Sequence, residues 1–199
     1  VYYLLVGAAV ALAVLMKSAI GLFVGPILLI WAVTMHDYRW LRDWFFWAGA
    51  LLGIAFVVPW HWYEHLQFGA QFWKDYLGVH IIDRFEKNII GNQSTESNII
   101  YFKQLITFAM PWSGLLCLST WQLFSIPKNT FAFRAALAFL LQTIFFLAVF
   151  CFAGTKIVYY ITPMYPFMIL SMVVVAYWWY QEKLSSEHEY VLYGAVGGV

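Results

Sequence analysis

Long apolar runs separated by short polar turns are the feature that most constrains this chain. The runs over residues 135–153 and 158–180 are close to the roughly 20 residues that an α-helix needs to cross a bilayer. Only 11% of the 199 residues are charged and 63% are hydrophobic, whereas about a quarter of the residues in a soluble domain are charged. So much apolar surface exceeds what one water-soluble core can bury. The sequence therefore predicts an all-α protein, a polytopic bundle of transmembrane helices.

Polar residues divide the chain into seven predicted spans. A charge at the bilayer centre is costly, so Lys17 should mark the end of the first helix, and Pro59 should end the third. The predicted spans cover residues 2–16, 20–35, 44–58, 106–126, 135–153, 158–180 and 190–199, with an outward loop over 59–105. Because the chain begins at Val1 and ends at Val199 inside an apolar run, we expect residues 1–199 to be an internal piece of one transmembrane domain, whose last span is cut short.

The orientation of these spans follows from the lysines and arginines of the short loops. One side of the predicted bundle carries Arg39, Arg42, Lys128, Arg134 and Lys183. The other side carries Lys17 and Lys156. Because cytoplasmic loops are enriched in positive charge, the first side is predicted to be cytoplasmic, and the outward loop is predicted to face the periplasm or lumen.

The outward loop contains a predicted surface helix over residues 68–85. Its side chains form two neighbouring ridges with i, i+4 spacing. The first ridge consists of Phe72, Tyr76, His80 and Arg84, and the second of Trp73, Leu77, Ile81 and Phe85. An apolar, aromatic face flanked by charges is typical of an amphipathic helix lying in the membrane interface.

Cations on the predicted outward side are candidates for binding a phosphate group. These are Lys17, Arg84 and Lys156, accompanied by His80 and Tyr160. Arginine binds phosphate through two parallel hydrogen bonds, and lysine binds it as a point charge. The alternative is that these cations lie at span ends and extend towards lipid headgroups, with Arg84 paired to Asp83. The sequence leaves both interpretations open.

Histidines are the candidate metal ligands. His80 is one candidate, with a divalent metal as the candidate cofactor, but a metal site needs several ligands and no tight group of histidines, cysteines and carboxylates surrounds it in the sequence. His61 and His65 have the i, i+4 spacing that suits zinc on a helix. An interfacial aromatic belt explains this pair, with the tryptophans and the tyrosine beside it, at least as well, so the pair also has two interpretations.

Four motifs occur in a characteristic order along nearly the whole chain. They are Leu15-Met16-Lys17-Ser18, the segment from Pro59-Trp60 through His80 to Arg84-Phe85, the segment from Tyr101 to Pro111-Trp112, and the segment from Lys156 through Tyr160 to Pro163. In order and spacing they resemble the bacterial branch of the dolichyl-phosphate-mannose protein mannosyltransferase superfamily, the C-type glycosyltransferases. The likeness is closest to the aminoarabinose transferases that modify lipid A.

The resemblance implies a membrane glycosyltransferase that moves a sugar from a polyprenyl-phosphate donor to a lipid A-like or protein acceptor. The active site would face the periplasm from the bacterial inner membrane. The family's Thr-Lys-Gly motif falls on Met16-Lys17-Ser18, so only the lysine matches. Arg84 and Tyr160 would contact the lipid phosphate, and Lys156, Lys17 and His80 would lie nearby. The family's catalytic aspartate is expected upstream of Val1, so residues 1–199 alone are expected to be inactive.

Two other classes of membrane protein compete with this interpretation. A transporter or lipid flippase is expected to have charges and broken helices near the bilayer midplane, whereas the charges here fall at the ends of predicted spans. A non-catalytic membrane subunit also fits the sequence. The net charge of +1 gives no reason to expect a nucleic-acid partner. The expected partners are the sugar donor, its acceptor and membrane lipids.

Overall fold

The structure is a computed structural model that describes the backbone of residues 2–83, 99–107, 109–154 and 157–196. Within these ranges the side chains of residues 17–20, 79–81, 99, 158 and 184–196 are not described. The regular secondary structure of the described residues is helical, without a β-strand. The all-α prediction is therefore confirmed.

The described residues form α-helices, 3-10 segments and one π-helical segment. The α-helices are α1 (Tyr2–Lys17), α2 (Val24–Met35), α3 (Trp44–Phe68), α4 (Ala70–Trp73), α5 (Ile99–Thr107), α6 (Trp112–Leu123), α7 (Phe131–Phe152) and α8 (Met164–Val196). The 3-10 segments are Ser18–Phe23, Arg39–Arg42 and Val158–Ile161, and a π-helical segment covers Lys74–Ile82. The chain divides into two compact units: Val1–Ile100 with Ala148–Tyr160, and Tyr101–Leu147 with Ile161–Val199.

Two described helices are long and apolar enough to cross a membrane. Helix α3 has 25 residues and α7 has 22, which at 1.5 Å per residue gives about 37 and 33 Å, more than the roughly 30 Å hydrocarbon core. Most side chains of α3 are exposed, including the large apolar Leu51, Ile54 and Phe56. The length, composition and exposed apolar side chains of α3 support membrane association.

Helices α1 and α3 pack closely through glycines in the first unit. A Cβ on Gly7 would overlap the carbonyl oxygen of Gly49, and a Cβ on Gly49 would overlap that of Tyr3. A Cβ on Gly53 would lie 3.0 Å from the carbonyl oxygen of Gly7. Small residues four positions apart allow such close approach between membrane helices. The contacting residue numbers rise together along both helices, so α1 and α3 are parallel. The end of α1 at Lys17 therefore lies level with the helical turn of α3 that follows Pro59.

The turn before α3 is polar, as predicted. Both carboxylate oxygens of Asp37 accept hydrogen bonds from the Arg39 guanidinium, at 2.9 and 2.7 Å, and these bonds lower the pKa of Asp37 to about 2. Asp43 caps α3, because its Oδ1 accepts a hydrogen bond from the Phe45 N–H at 2.9 Å, which satisfies a donor that has no partner within the helix.

The predicted end of the third span at Val58 is wrong as a helix boundary. Helix α3 continues through Pro59 to Phe68. Proline removes one backbone hydrogen bond, but its fixed φ is compatible with a helix, and membrane helices tolerate it. The helix ends instead at Gly69, which has φ +58° and donates its N–H to the carbonyl oxygen of His65 at 2.8 Å. Glycine adopts such a positive φ readily, because it has no Cβ to clash with the backbone.

The predicted surface helix over residues 68–85 is also interrupted at Gly69. Beyond it the chain forms α4 and then the π-helical segment Lys74–Ile82. One contact of the first predicted ridge is present, since the rings of Phe72 and Tyr76 stack with centroids 5.3 Å apart. Arg84 and Phe85 lie outside the described residues, as do the side chains of His80 and Ile81. The amphipathic character of this segment stays a prediction.

The fourth predicted span, residues 106–126, is wrong as one continuous helix. Helix α5 ends at Thr107 and α6 begins at Trp112, immediately after Pro111. Proline has no N–H to donate and is suited to a helix start. The 12 residues of α6 extend about 18 Å, less than the hydrocarbon thickness. The fifth span is confirmed as a helix, beginning a few residues early at Phe131 because the Thr130 hydroxyl accepts the Phe133 N–H at 3.2 Å.

The last predicted loop, residues 181–189, does not form. Helix α8 passes through it without interruption and continues into the predicted seventh span as far as Val196. The stretch contains neither glycine nor proline, and its glutamates, lysine and leucine are good helix formers. Its charge was therefore a poor indicator of a turn. The sixth predicted span begins as the 3-10 turn Val158–Ile161 and becomes α-helical at Met164.

Candidate functional site

The predicted phosphate-binding residues are only partly within the described structure. Arg84 and Lys156 lie outside the described residues, as do the side chains of Lys17 and His80. Tyr160 is described, and it is half-buried. The binding of phosphate by these five residues therefore stays a prediction, and the structure contributes the positions of the segments that carry Lys17 and Tyr160.

Two aromatic contacts link these two segments within the first unit. Tyr160 lies in the 3-10 turn Val158–Ile161, where its N–H donates to the carbonyl oxygen of Ile157 at 3.0 Å. Its ring is 5.5 Å from that of Phe150, whose ring is in turn 6.4 Å from that of Phe23. Phe23 closes the 3-10 segment that begins directly after Lys17. Through Phe150, Tyr160 of the last motif is thus linked to Phe23, which lies five residues after the first motif, within one compact unit.

The aromatic–histidine cluster, formed where the chain folds back after Gly69, consists of Trp60, His61, His65, Phe72, Trp73 and Tyr76. Tyr76 lies edge-on to His61 at 5.0 Å, and Trp73 stacks on the same imidazole at 6.1 Å with an angle of 20° between the rings. The turn at Gly69 directs α4 and the π-helical segment back onto the last turns of α3, and the ring contacts follow from this reversal. Their sequence signal is a glycine between two aromatic stretches, which our sequence analysis missed.

Hydrogen-bond partners assign the histidine tautomers in this cluster. His61 Nδ1 lies 2.9 Å from the carbonyl oxygen of Val57, so Nδ1 carries the proton and donates. His65 Nδ1 lies 3.2 Å from Trp73 Nε1 and 3.3 Å from the carbonyl oxygen of Gly69. The indole N–H can only donate, so neutral His65 accepts from Trp73 and carries its proton on Nε2. The contact with Gly69 becomes a hydrogen bond only when Nδ1 is protonated.

The surroundings of His61 and His65 distinguish between a zinc site and an aromatic belt. Within the described residues, no group of three or more histidines, cysteines and carboxylates is close enough to hold a metal ion. The Nδ1 atoms of both histidines already contact backbone or indole groups, and their neighbours are aromatic rings. The geometry therefore favours the interfacial aromatic belt for this pair. The candidate metal ligand His80 belongs to the part of the chain whose side chains are not described.

Comparisons of the chain with protein-family models, with curated proteins and with solved structures find no match.

Proposed function

We propose that this chain is part of a polytopic membrane glycosyltransferase that transfers a sugar from a polyprenyl-phosphate donor to a lipid A-like or protein acceptor. The resemblance of its four ordered motifs suggests this activity. The observation that supports it best is that the ring of Phe150 links Tyr160 to Phe23, in the segment after Lys17, within one unit. A site built from distant motifs requires such a meeting.

The proposed chemistry is inverting substitution at the anomeric carbon of the sugar. An acceptor oxygen attacks this carbon, the bond to the lipid phosphate oxygen breaks, and the electron pair leaves with the phosphate. Arg84, with Lys17 or Lys156, would neutralise the charge that builds up on the phosphate. The Tyr160 hydroxyl would donate a hydrogen bond to the same oxygens. The general base that takes the acceptor proton would be the family's aspartate, which the resemblance assigns to a region before Val1.

The aromatic–histidine cluster supports the membrane part of this proposal. About 20 residues of α3 suffice to cross the hydrocarbon core, so a span that begins near Trp44 reaches the far interface close to Tyr63. Trp60, Trp62 and Tyr63 are exposed there, and aromatic side chains are enriched at this depth. Trp62 and Tyr63, together with the cluster, would anchor the outward end of α3 at the headgroup level, beside the end of α1 at Lys17.

A lipid flippase or transporter is the second candidate, and one observation favours it. The helical segment after Ile99 is interrupted between Thr107 and Trp112 in the second unit. Broken helices near the midplane are a feature of transporters. The two candidates differ in their products, because a flippase moves a lipid without breaking a covalent bond.

Reconstitution of the full-length protein in liposomes tests this proposal. We expect sugar transfer from the polyprenyl-phosphate donor to a lipid A-like acceptor, measured as the mass increase of the acceptor. Tyr160→Phe should lower the rate about two- to tenfold, since one neutral hydrogen bond contributes roughly 0.5–1.5 kcal/mol. Tyr159→Phe is the matched control, because its ring is exposed on the same turn, and it should leave the rate unchanged. Movement of a labelled lipid across the bilayer without transfer would instead identify a flippase.

The proposed orientation predicts opposite labelling of two loops. In a background with Cys117 and Cys151 replaced by alanine, we expect Ser94→Cys to react with a membrane-impermeant thiol reagent in intact cells. We expect Asn129→Cys, in the predicted cytoplasmic loop, to react only after the cells are opened. The reverse pattern would contradict the orientation, and with it a periplasmic active site.

A further inference from the structure

Two polar groups compete for a single ring atom of His65. Its Nδ1 lies 3.2 Å from the indole Nε1 of Trp73 and 3.3 Å from the carbonyl oxygen of Gly69. An indole N–H can only donate a hydrogen bond, and a backbone carbonyl can only accept one. Trp73 therefore needs a lone pair on Nδ1, whereas Gly69 needs a proton on the same atom. The protonation state of His65 decides which of the two hydrogen bonds forms.

The two contacts hold different parts of the chain reversal after α3. Gly69 ends α3 with a φ of +58°, so its carbonyl belongs to the turn itself. Trp73 is the last residue of α4, and its hydrogen bond to His65 attaches α4 to the last turn of α3. Among the residues that the structure describes, no other side-chain hydrogen bond joins α4 to α3. Loss of this bond therefore removes the polar attachment of α4 to α3.

His61, one helical turn earlier, differs from His65 in the position of its proton. The Nδ1 of His61 lies 2.9 Å from the carbonyl oxygen of Val57, so this atom carries a proton in the neutral ring and in the charged ring. Protonation of its Nε2 leaves the bond to Val57 unchanged. The neutral ring of His65 carries its proton on Nε2, so protonation changes Nδ1 itself. Of these two histidines, only His65 exchanges one partner for another when it takes up a proton.

No described carboxylate pairs with His65. The titratable residues of the surrounding elements are His61 and Glu64 on α3, Lys74, Asp75 and Tyr76 on the π-helical segment, and Lys17 at the end of α1, whose side chain is not described. The carboxylate oxygens of Asp75 accept hydrogen bonds from Gln71 Nε2 at 2.9 and 3.0 Å. His65 forms no ion pair within the described part of the chain. The Gly69 carbonyl is thus the acceptor within reach of Nδ1 when the ring is charged.

We propose that His65 is a pH-sensitive switch that attaches α4 to α3 when it is neutral and releases it when it is protonated. The neutral ring accepts the N–H of Trp73. Uptake of a proton makes Nδ1 a donor, which forms a charge-assisted hydrogen bond with the Gly69 carbonyl and repels the indole N–H. Because Trp73 is partly exposed, its N–H then turns to water. Attachment is therefore present at higher pH and is lost as the pH falls through the range in which histidine ordinarily changes charge.

Nitrogen NMR of the full-length protein in lipid nanodiscs tests the switch. Histidines and tryptophans are labelled with ¹⁵N, the signals of both histidines and of Trp73 are assigned by substitution, and the pH is lowered from about 8 to about 5. At the upper end we expect Nδ1 to be unprotonated in His65 and protonated in His61. As His65 becomes protonated on Nδ1, water exchange of the Trp73 indole proton should accelerate about two- to tenfold relative to that of the exposed Trp62, the change expected for one neutral hydrogen bond.

Two substitutions should fix the switch in one state each. His65→Asn supplies an amide oxygen that accepts at every pH, so the exchange ratio of Trp73 to Trp62 should stay low throughout. His65→Arg supplies a permanent cation without an acceptor, so the ratio should stay high. His61→Asn is the matched control and should keep the wild-type pH response, because His61 keeps its partner in both states.

Several outcomes would overturn the proposal. One is protonation of His65 with an unchanged exchange ratio for Trp73, because the indole would then not be held by the imidazole. Another is a His65 that carries a proton on Nδ1 at the upper end of the pH range, or that stays neutral at the lower end. A pH response that survives in His65→Asn, or that disappears in His61→Asn, would assign the response to another group. The inference does not depend on transferase activity, so its failure leaves the proposed function untouched.

Discussion

Replacement of Gly49 by leucine is expected to prevent α1 from packing on α3 and to destabilise the first unit. A Cβ at this position already overlaps the carbonyl oxygen of Tyr3, and a backbone atom of a helix cannot move aside as a side chain can. Relief requires the two helices to separate, which also disrupts the contact between Gly53 and Gly7. Overpacking of a well-packed contact typically costs about 1–3 kcal/mol, and occasionally more; we expect a cost at or above the upper end.

The measurement is the unfolding midpoint of the full-length protein in detergent, by heat or by added denaturing detergent. Gly114→Leu is the control, because leucine has a higher helix propensity than glycine and a Cβ at position 114 meets no atom within 4 Å. Its midpoint should be equal to or above that of the wild type. A Gly49→Leu protein with the wild-type midpoint would contradict the close packing of α1 on α3.

The helices were largely predictable from the sequence, whereas their ends were not. Hydropathy identifies apolar runs but does not report whether the backbone hydrogen bonds continue beyond them. Pro59 lies inside α3, while Pro111 separates α5 from α6. The residue type is the same, so the difference depends on what surrounds each proline in the fold. The charged stretch 181–189 shows the opposite error, because polar residues without glycine or proline can continue a helix.

The contacts within the first unit lay beyond sequence reasoning for a different reason. The spacing of Gly49 and Gly53 is a known signature of close helix packing, but it does not name Gly7 as the partner. Likewise, the return of Trp73 and Tyr76 onto His61 depends on the positive φ of Gly69, which the residue type permits without requiring. Tertiary partners are decided by which apolar faces fit together, and a single sequence does not record that fit.

Replacement of Arg84 by lysine is expected to reduce sugar transfer about ten- to a hundredfold in the full-length enzyme, because a charge-assisted hydrogen bond contributes roughly 1.5–3 kcal/mol. This prediction rests on the sequence and on the proposed function, since Arg84 lies outside the described residues. Lysine keeps the positive charge but lacks the planar fork that binds two phosphate oxygens at once. If the Arg84 guanidinium binds the leaving phosphate in the transition state, its replacement by an ammonium group lowers the turnover rate. Tyr160→Phe removes one neutral donor and should have the smaller effect.

The competing interpretation makes the opposite prediction for the same variant. If Arg84 pairs with Asp83 or extends to lipid headgroups, lysine can replace it, because a point charge satisfies either role. Transfer from the polyprenyl-phosphate donor should therefore be measured for Arg84→Lys and for Arg134→Lys at matched expression. Arg134 lies in the first turn of α7 and on the predicted cytoplasmic side, so the same exchange there should leave turnover unchanged. Near wild-type turnover in both variants would remove Arg84 from the phosphate site, whereas a loss confined to Arg84→Lys would identify its guanidinium as a ligand of the leaving group.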